Sequence, residues 1–166
     1  RYSLVEYTAI VASDYANHET LRQEVLHHIP KYGNNDPQVD ALARRVSEIV
    51  CDALFAAPNP DGHLLFPALY SLHHHIRWGQ ELPATPDGRR AGEPISENQS
   101  PVYGADRNGL SATLLSAAAL PHRRTVMGGL NVKFGGKLLA PAFVAMLDTF
   151  FELGGVHLGL TCVGRD

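Results

Sequence analysis

The sequence predicts a mixed α/β fold, because helical and strand-like hydrophobic periods alternate along it. Three observations carry that prediction: one capped amphipathic helix near residues 36–54, three strand-like runs separated by helical segments, and one long stretch with no hydrophobic period. Strands joined through helical connections pair in parallel by crossover units.

The elements follow in order. Leu4 to Ala16 and Glu19 to Ile29 carry apolar spacing suited to two short helices, broken near Asn17 and ended by Pro30. Asp36 is a capping residue and Pro37 suits the first helical position. Behind them Val39, Leu42, Ala43, Val46, Ile49, Val50, Ala53 and Leu54 recur at steps of three and four, which predicts an amphipathic helix. Pro58 to Gly62 forces a turn, and the bulky run His63 to Ile76 reads as an extended segment entering the core. Leu110 to Leu120 reads as a helix, Val126 to Phe134 as a strand, Leu139 to Leu153 as a helix ended by Gly154-Gly155, and Val156 to Val163 as a strand.

Between these elements lies Thr85 to Asp106, punctuated by Pro86, Gly88, Gly92, Pro94, Pro101 and Gly104. No helix or strand period survives there, and Pro86-Asp87-Gly88 has the order of a tight turn. A loop this long within a compact body is functional or disordered, and its specified punctuation favours order.

Composition excludes several functions. A net charge of -3 and a pI near 6.3 leave no basic footprint for nucleic acid. No apolar run reaches membrane-spanning length, and no basic-then-apolar leader opens the chain, so the expected location is the cytoplasm. Cys51 and Cys162 lie far apart without a C-x-x-C spacing, which argues against a disulfide framework or a cysteine zinc site and for two packing residues.

The loop also resembles a known family. Thr85-Pro-Asp-Gly-Arg-Arg-Ala-Gly-Glu-Pro94, followed by Ser100-Pro-Val-Tyr-Gly-Ala-Asp106, is similar to segments of the glycyl radical enzymes of the pyruvate formate-lyase type. The likeness extends to Lys31-Tyr-Gly-Asn-Asn-Asp36, to Gly128-Gly-Leu-Asn-Val-Lys-Phe134 and to Phe150-Phe-Glu-Leu-Gly-Gly-Val-His157. It implies that the 166 residues are a single fragment, from the C-terminal half of a catalytic subunit, of a ten-stranded α/β barrel. The opening at Arg1 without a Met fits that expectation.

The family's chemistry needs a radical glycine and a cysteine that forms a thiyl radical. The resemblance places the first in an R-V-x-G-Y loop beyond Asp166 and the second before Arg1. Arg45-Val46-Ser47-Glu48 begins like the glycine loop, but Glu48 stands where glycine is required and a helical period runs through it. The resemblance thus implies no catalytic residue and no directly bound cofactor in this chain. The whole enzyme would be a dehydratase, or a lyase of formate-acetyltransferase type, cleaving C–O or C–C bonds. It would be a homodimer in an anaerobic cytoplasm, its radical installed by an iron-sulfur activating enzyme using S-adenosylmethionine. An independent alternative is a non-catalytic structural or interaction module.

Four residues are candidates for a substrate pocket. Tyr70 aligns with a strand that presents a tyrosine to substrate in the dehydratase branch, though a core aromatic with a satisfied hydroxyl is an equal alternative. His73 and His75, read on one face of a strand, and Asn131 are the others. The run His73-His74-His75 also raises a weaker histidine-based metal site, but adjacent strand residues diverge and no nearby carboxylate completes a ligand set. Asp87, Gly88, Arg89 and Arg90 suit a structural role better than a catalytic one, since turn aspartates accept backbone bonds and arginines staple loops. Gly128-Gly129 lacks the strand-glycine-helix order of a phosphate cradle and reads as close packing or a bulge.

Overall fold

A computed structural model describes residues 1–135 and 140–163. The elements run α1 (Leu4–Ala12), α2 (Glu19–His28), α3 (Pro37–Ala56), β1 (Ala68–Leu69), α4 (His74–Glu81), α5 (Leu110–Ala118), a short 3-10 turn (His122–Arg124), β2 (Met127–Gly128), β3 (Leu130–Gly135), α6 (Ala140–Glu152) and β4 (Leu158–Val163). The chain divides into two compact units, Arg1–Pro30 with Ser71–Ser96, and Lys31–Tyr70 with Glu97–Asp166.

In the first unit, α1 opens on a reciprocal cap. Ser3 Oγ accepts from the Glu6 amide, and the Glu6 carboxylate accepts from the Ser3 amide at 2.7 Å. The helix stops where Asp14, Tyr15 and Asn17 take positive φ, close to the expected break. Tyr15 joins Ile10, Val11 and Ala84 in the small core, with Tyr7 and Leu21 against it. Its buried hydroxyl donates to Thr85 O at 2.7 Å, so the core is tied to the long loop by a satisfied polar group.

The extended run expected over His63 to Ile76 is corrected by the structure. Only Ala68–Leu69 is strand, and from His74 the chain is helical. Leu72 turns the chain with φ of 51°, and on α4 the His74 ring stacks on Trp78, one helical turn ahead, at 5.3 Å. The bulky run thus serves two conformations in succession rather than one.

In the second unit, α3 is built as its sequence dictates. Asp36 Oδ1 accepts from the amides of Gln38 and Val39 at 2.9 and 3.2 Å, and Pro37 fills the first position. The face it buries is not the apolar one, however. Asp40 and Cys51 are buried, whereas Leu42, Val46, Ile49 and Val50 are 62%, 54%, 56% and 46% exposed.

The strands pair in parallel, as the crossover connections predict. β1 pairs with β2 (Leu69 opposite Gly128), and β3 with β4 from Leu130–Leu158 to Gly135–Val163. Gly129 separates β2 from β3 within one extended stretch. Leu130 and Val132 alternate inward from β3 and meet Leu114, Ala117 and Ala118 of α5 and Phe150 of α6 in the main core. The expected helix start at Leu139 lies outside the described residues, and α6 is described from Ala140. Cys51 packs as expected, with its thiol 3.7 Å from Arg124 O. Cys162 does not: it is exposed, because the outer half of β4, Thr161 to Val163, is exposed among the described residues.

Candidate functional site

The second unit assembles a hydrogen-bonded polar cluster around the turn Lys31 to Asp36. Asn34 is the hub. Its Nδ2 donates to Lys31 O at 3.0 Å and Ala105 O at 2.7 Å, and its Oδ1 accepts from the amides of Arg107 and Asn108 at 2.7 and 3.0 Å. One carboxamide therefore satisfies four main-chain groups that lack regular secondary structure. Gly33 is required beside it: its φ is +96°, and a Cβ there would fall 2.2 Å from the Pro101 ring.

Helix α5 docks on the same turn through hydroxyls. Thr113 Oγ1 donates to Gly33 O at 3.1 Å, and Ser116 Oγ accepts from the Asn35 amide and donates to Asp40 Oδ2 at 3.0 Å. Asp40 is buried, and among the described residues neither its other carboxyl oxygen nor the nearby Tyr32 hydroxyl has a partner. Burial pushes the Asp40 carboxyl up, with Asp36 adding to the effect and the Ser116 bond opposing it. Burial, then Asp40, likewise pushes the Tyr32 phenol up.

A second polar group assembles where β1 and β2 end and β3 begins. Asn131 Nδ2 donates to Glu97 Oε1 at 2.5 Å, while the Asn131 main chain exchanges two bonds with Ser100 Oγ. The Gln99 amide donates to Gly129 O at 3.1 Å. Gln99 is 4% exposed and its side chain lies over Gly128, where a Cβ would be 2.0 Å from Nε2; among the described residues neither side-chain amide atom has a partner. His157 approaches Gly129 from the start of β4. The two glycines thus admit close side-chain packing, as the sequence suggests. Tyr70 is half-buried immediately after β1.

Sequence reasoning singled out Tyr70 and Asn131 but missed Glu97, Gln99, Ser100 and His157. The available signal was the polar spelling Ser96-Glu-Asn-Gln-Ser100, five polar side chains in succession inside an otherwise glycine- and proline-marked loop.

His73 and His75 belong to the first unit, not to a strand. His73 is exposed, stacked on His74 at 4.5 Å, and His75 is buried with Nδ1 2.9 Å from Leu72 O. The premise that strand alternation points them into one pocket is therefore corrected: His73 is the N-cap of α4 and His75 lies in its first turn. Among the described residues, no group of three or more His, Cys, Asp or Glu side chains is placed to hold a metal ion.

The loop segment 85–94 is stapled within this unit. Arg89 is 4% exposed and donates to the carbonyls of Gly79, Arg90 and Glu93, the last at 2.6 Å, and to that of Pro83. Arg90 reaches Asp14 O at 2.9 Å and Glu19 Oε2 at 2.6 Å. Arg22, with help from Gln23 and Arg90, holds the Glu19 carboxyl down to about 2. Asp87 accepts from the Thr85 hydroxyl, and the Gly88 amide donates to Thr85 O at 3.1 Å, closing the turn. Gly88 itself lies against the Leu26 side chain.

A cavity of about 240 Å³ opens between α5 and α6, walled by Leu114, Leu115, Met146 and Phe150. Its two hydroxyls donate within the wall, Ser111 to Met146 Sδ and Thr149 to Ala145 O, so the lining is apolar apart from their remaining acceptor lone pairs. No helix among the described residues is long and apolar enough to cross a membrane.

Residues 1–79 match the family model described as pyruvate formate lyase-like. The chain is 33% identical over 177 aligned residues to the probable dehydratase YbiW of Escherichia coli, covering 97% of this chain and 22% of that protein. The glycerol-bound B12-independent glycerol dehydratase of Clostridium butyricum superposes with a TM-score of 0.90 at 27% identity, over 98% of this chain and 21% of the other. A glycyl radical enzyme from Archaeoglobus fulgidus superposes with the same score at 25% identity, over 100% and 22%. The 166 residues belong to the glycyl radical enzyme family of pyruvate formate lyase-like proteins, and span about one fifth of the length of the relatives they match.

Proposed function

We propose that these residues are the part of a glycyl radical dehydratase or lyase that shapes the substrate side of its barrel, while the radical glycine and the thiyl cysteine come from elsewhere in the polypeptide. The observation that carries this reading is the 0.90 superposition, over 98% of the chain, on a glycerol dehydratase bound to glycerol. In the whole enzyme the glycine radical, installed by an iron-sulfur activating enzyme, would supply hydrogen-atom abstraction through the cysteine. The residues here would bind and orient. The four strands described would be one side of a ten-stranded α/β barrel.

Tyr70, half-buried at the carboxyl end of β1, would offer one hydrogen bond to a hydroxyl-bearing substrate. Asn131 would line the proposed pocket, its main chain held by Ser100 and its side chain by Glu97, which limits the positions that side chain can sample. Asp87, Gly88, Arg89 and Arg90 would hold the loop and take no part in the reaction. Carbonyl and carboxylate partners engage the terminal nitrogens of both guanidinium groups.

Anaerobic activation of the whole polypeptide, followed by electron paramagnetic resonance and a diol-dehydration assay, tests the reading. A glycyl radical signal with dehydration of propane-1,2-diol or glycerol is expected from the whole protein, and no turnover from the 166 residues alone. Turnover by the 166 residues, or no radical signal in the whole protein, would overturn it.

A further inference from the structure

The β3–β4 pair has two unlike faces. Leu130 and Val132 point into the main core with α5 and α6, and Leu158 and Leu160 of β4 pack against that core. Alternation turns Gly129, Asn131 and Gly159 to the opposite face, and His157 joins them, since its carbonyl accepts from the Leu130 amide at 3.1 Å one step before the ladder begins. The open side of a half-covered sheet is ordinarily polar, but glycine in such a stretch marks a close approach by another group. At Gly159 that group is Asn131, whose Oδ1 stands where a Cβ would be. At Gly129 the position of a Cβ is only rimmed, by His157 Nδ1 and Cε1 at 3.3 and 3.6 Å and by Asn98 Nδ2 at 3.7 Å.

Tyr70 reaches the same level from the other side. Leu69 is opposite Gly128, so the residue after it stands level with Gly129 and, by alternation, on the face that Gly129 leaves open. His157 is exposed, and among the described residues neither of its ring nitrogens has a hydrogen-bond partner. The Asn131 carboxamide, by contrast, is already donating to Glu97. We propose that His157 is a substrate-binding residue, holding one hydroxyl of a neutral vicinal diol across the Gly129 gap while Tyr70 holds the other, a proposal that rests on the function reading above. An imidazole nitrogen donates to or accepts from a hydroxyl according to its tautomer, and a phenol does either. Two such groups flanking a gap without a side chain match a ligand that carries hydroxyls on adjacent carbons.

Calorimetric titration of the whole polypeptide before activation measures binding without turnover. Propane-1,2-diol is compared with propan-1-ol and propan-2-ol, each of which lacks one of its hydroxyls. His157→Ala should weaken diol binding about fivefold, within the range of one hydrogen bond, while changing by less than about twofold the binding of the mono-alcohol that lacks the hydroxyl His157 holds. An equal loss for all three ligands would show a structural role and overturn the proposal. Unchanged diol affinity, or no diol binding by the unsubstituted protein, would also overturn it. Gly129→Ala is the second variant: it keeps every polar group, adds a methyl in the gap and should weaken diol binding at least threefold, and undiminished affinity would overturn the proposal. Failure of the function reading would appear instead as a missing glycyl radical signal after activation, which these titrations do not measure.

Discussion

Helix α3 and the loop 85–106 invert the usual relation between regularity and burial. α3 is a capped helix of 20 residues, yet its large aliphatic side chains face outward. The loop has no helix or strand, yet it places Arg89 and Gln99 at 4% exposure and secures itself through side-chain bonds to main-chain groups. The difference shows two sources of order. α3 is specified by local rules, a cap, a proline and a period, which operate whether or not anything covers it. The loop is specified by partners distant in sequence, and each bond replaces a ladder that its backbone does not have.

That contrast can be broken most forcefully at Arg89. Arg89→Ala removes a buried side chain and the donor that the Pro83 and Glu93 carbonyls share, and should cost about 3 kcal/mol in urea unfolding. Arg89→Lys should recover only part of this, since an ammonium cannot span the same carbonyls. Gly33→Ala tests the other anchored turn. With φ at +96° and the Pro101 ring in the way, it should cost about 2 kcal/mol. Asp36→Ala removes a local determinant of α3 and should cost about 1 kcal/mol, seen as faster hydrogen exchange at the Gln38 and Val39 amides. Smallest of all, Ile49→Gln in the 166-residue chain should change stability by less than about 0.5 kcal/mol, because that residue is 56% exposed. A large loss from Ile49→Gln together with a negligible one from Arg89→Ala would reverse the comparison.

The same division explains what can be read from the sequence. The cap and body of α3, the end of α2 at Pro30 and the parallel strand pairing follow from spacing and connection rules, and the structure contains them. The unstructured character of 85–106 follows from its glycines and prolines. The conformation of His73 to His75 does not, because a bulky run favours a strand only when no turn interrupts it, and Leu72 supplies that turn at a positive φ that leucine rarely adopts. The His74 and Trp78 spacing was the legible hint of a helix. At the candidate site, Tyr70 is singled out by the family resemblance and Asn131 by its place in a strand-like run. Glu97, Ser100 and Gln99 are not, since their partners Asn131 and Gly129 stand some thirty residues away and only the folded chain brings them together.

Asn34 carries a consequence for the order of events on the ribosome. Its acceptor Ala105 lies 71 residues downstream, and the amides of Arg107 and Asn108 lie further still. At a synthesis rate of 5–20 residues per second, the turn would wait about 4–14 s for its partners, while α3 could coil as soon as it emerged. During that interval the nascent chain would present a finished helix with an oily flank and an unfinished hinge beside it, the state in which a chaperone or an already folded earlier segment would find it.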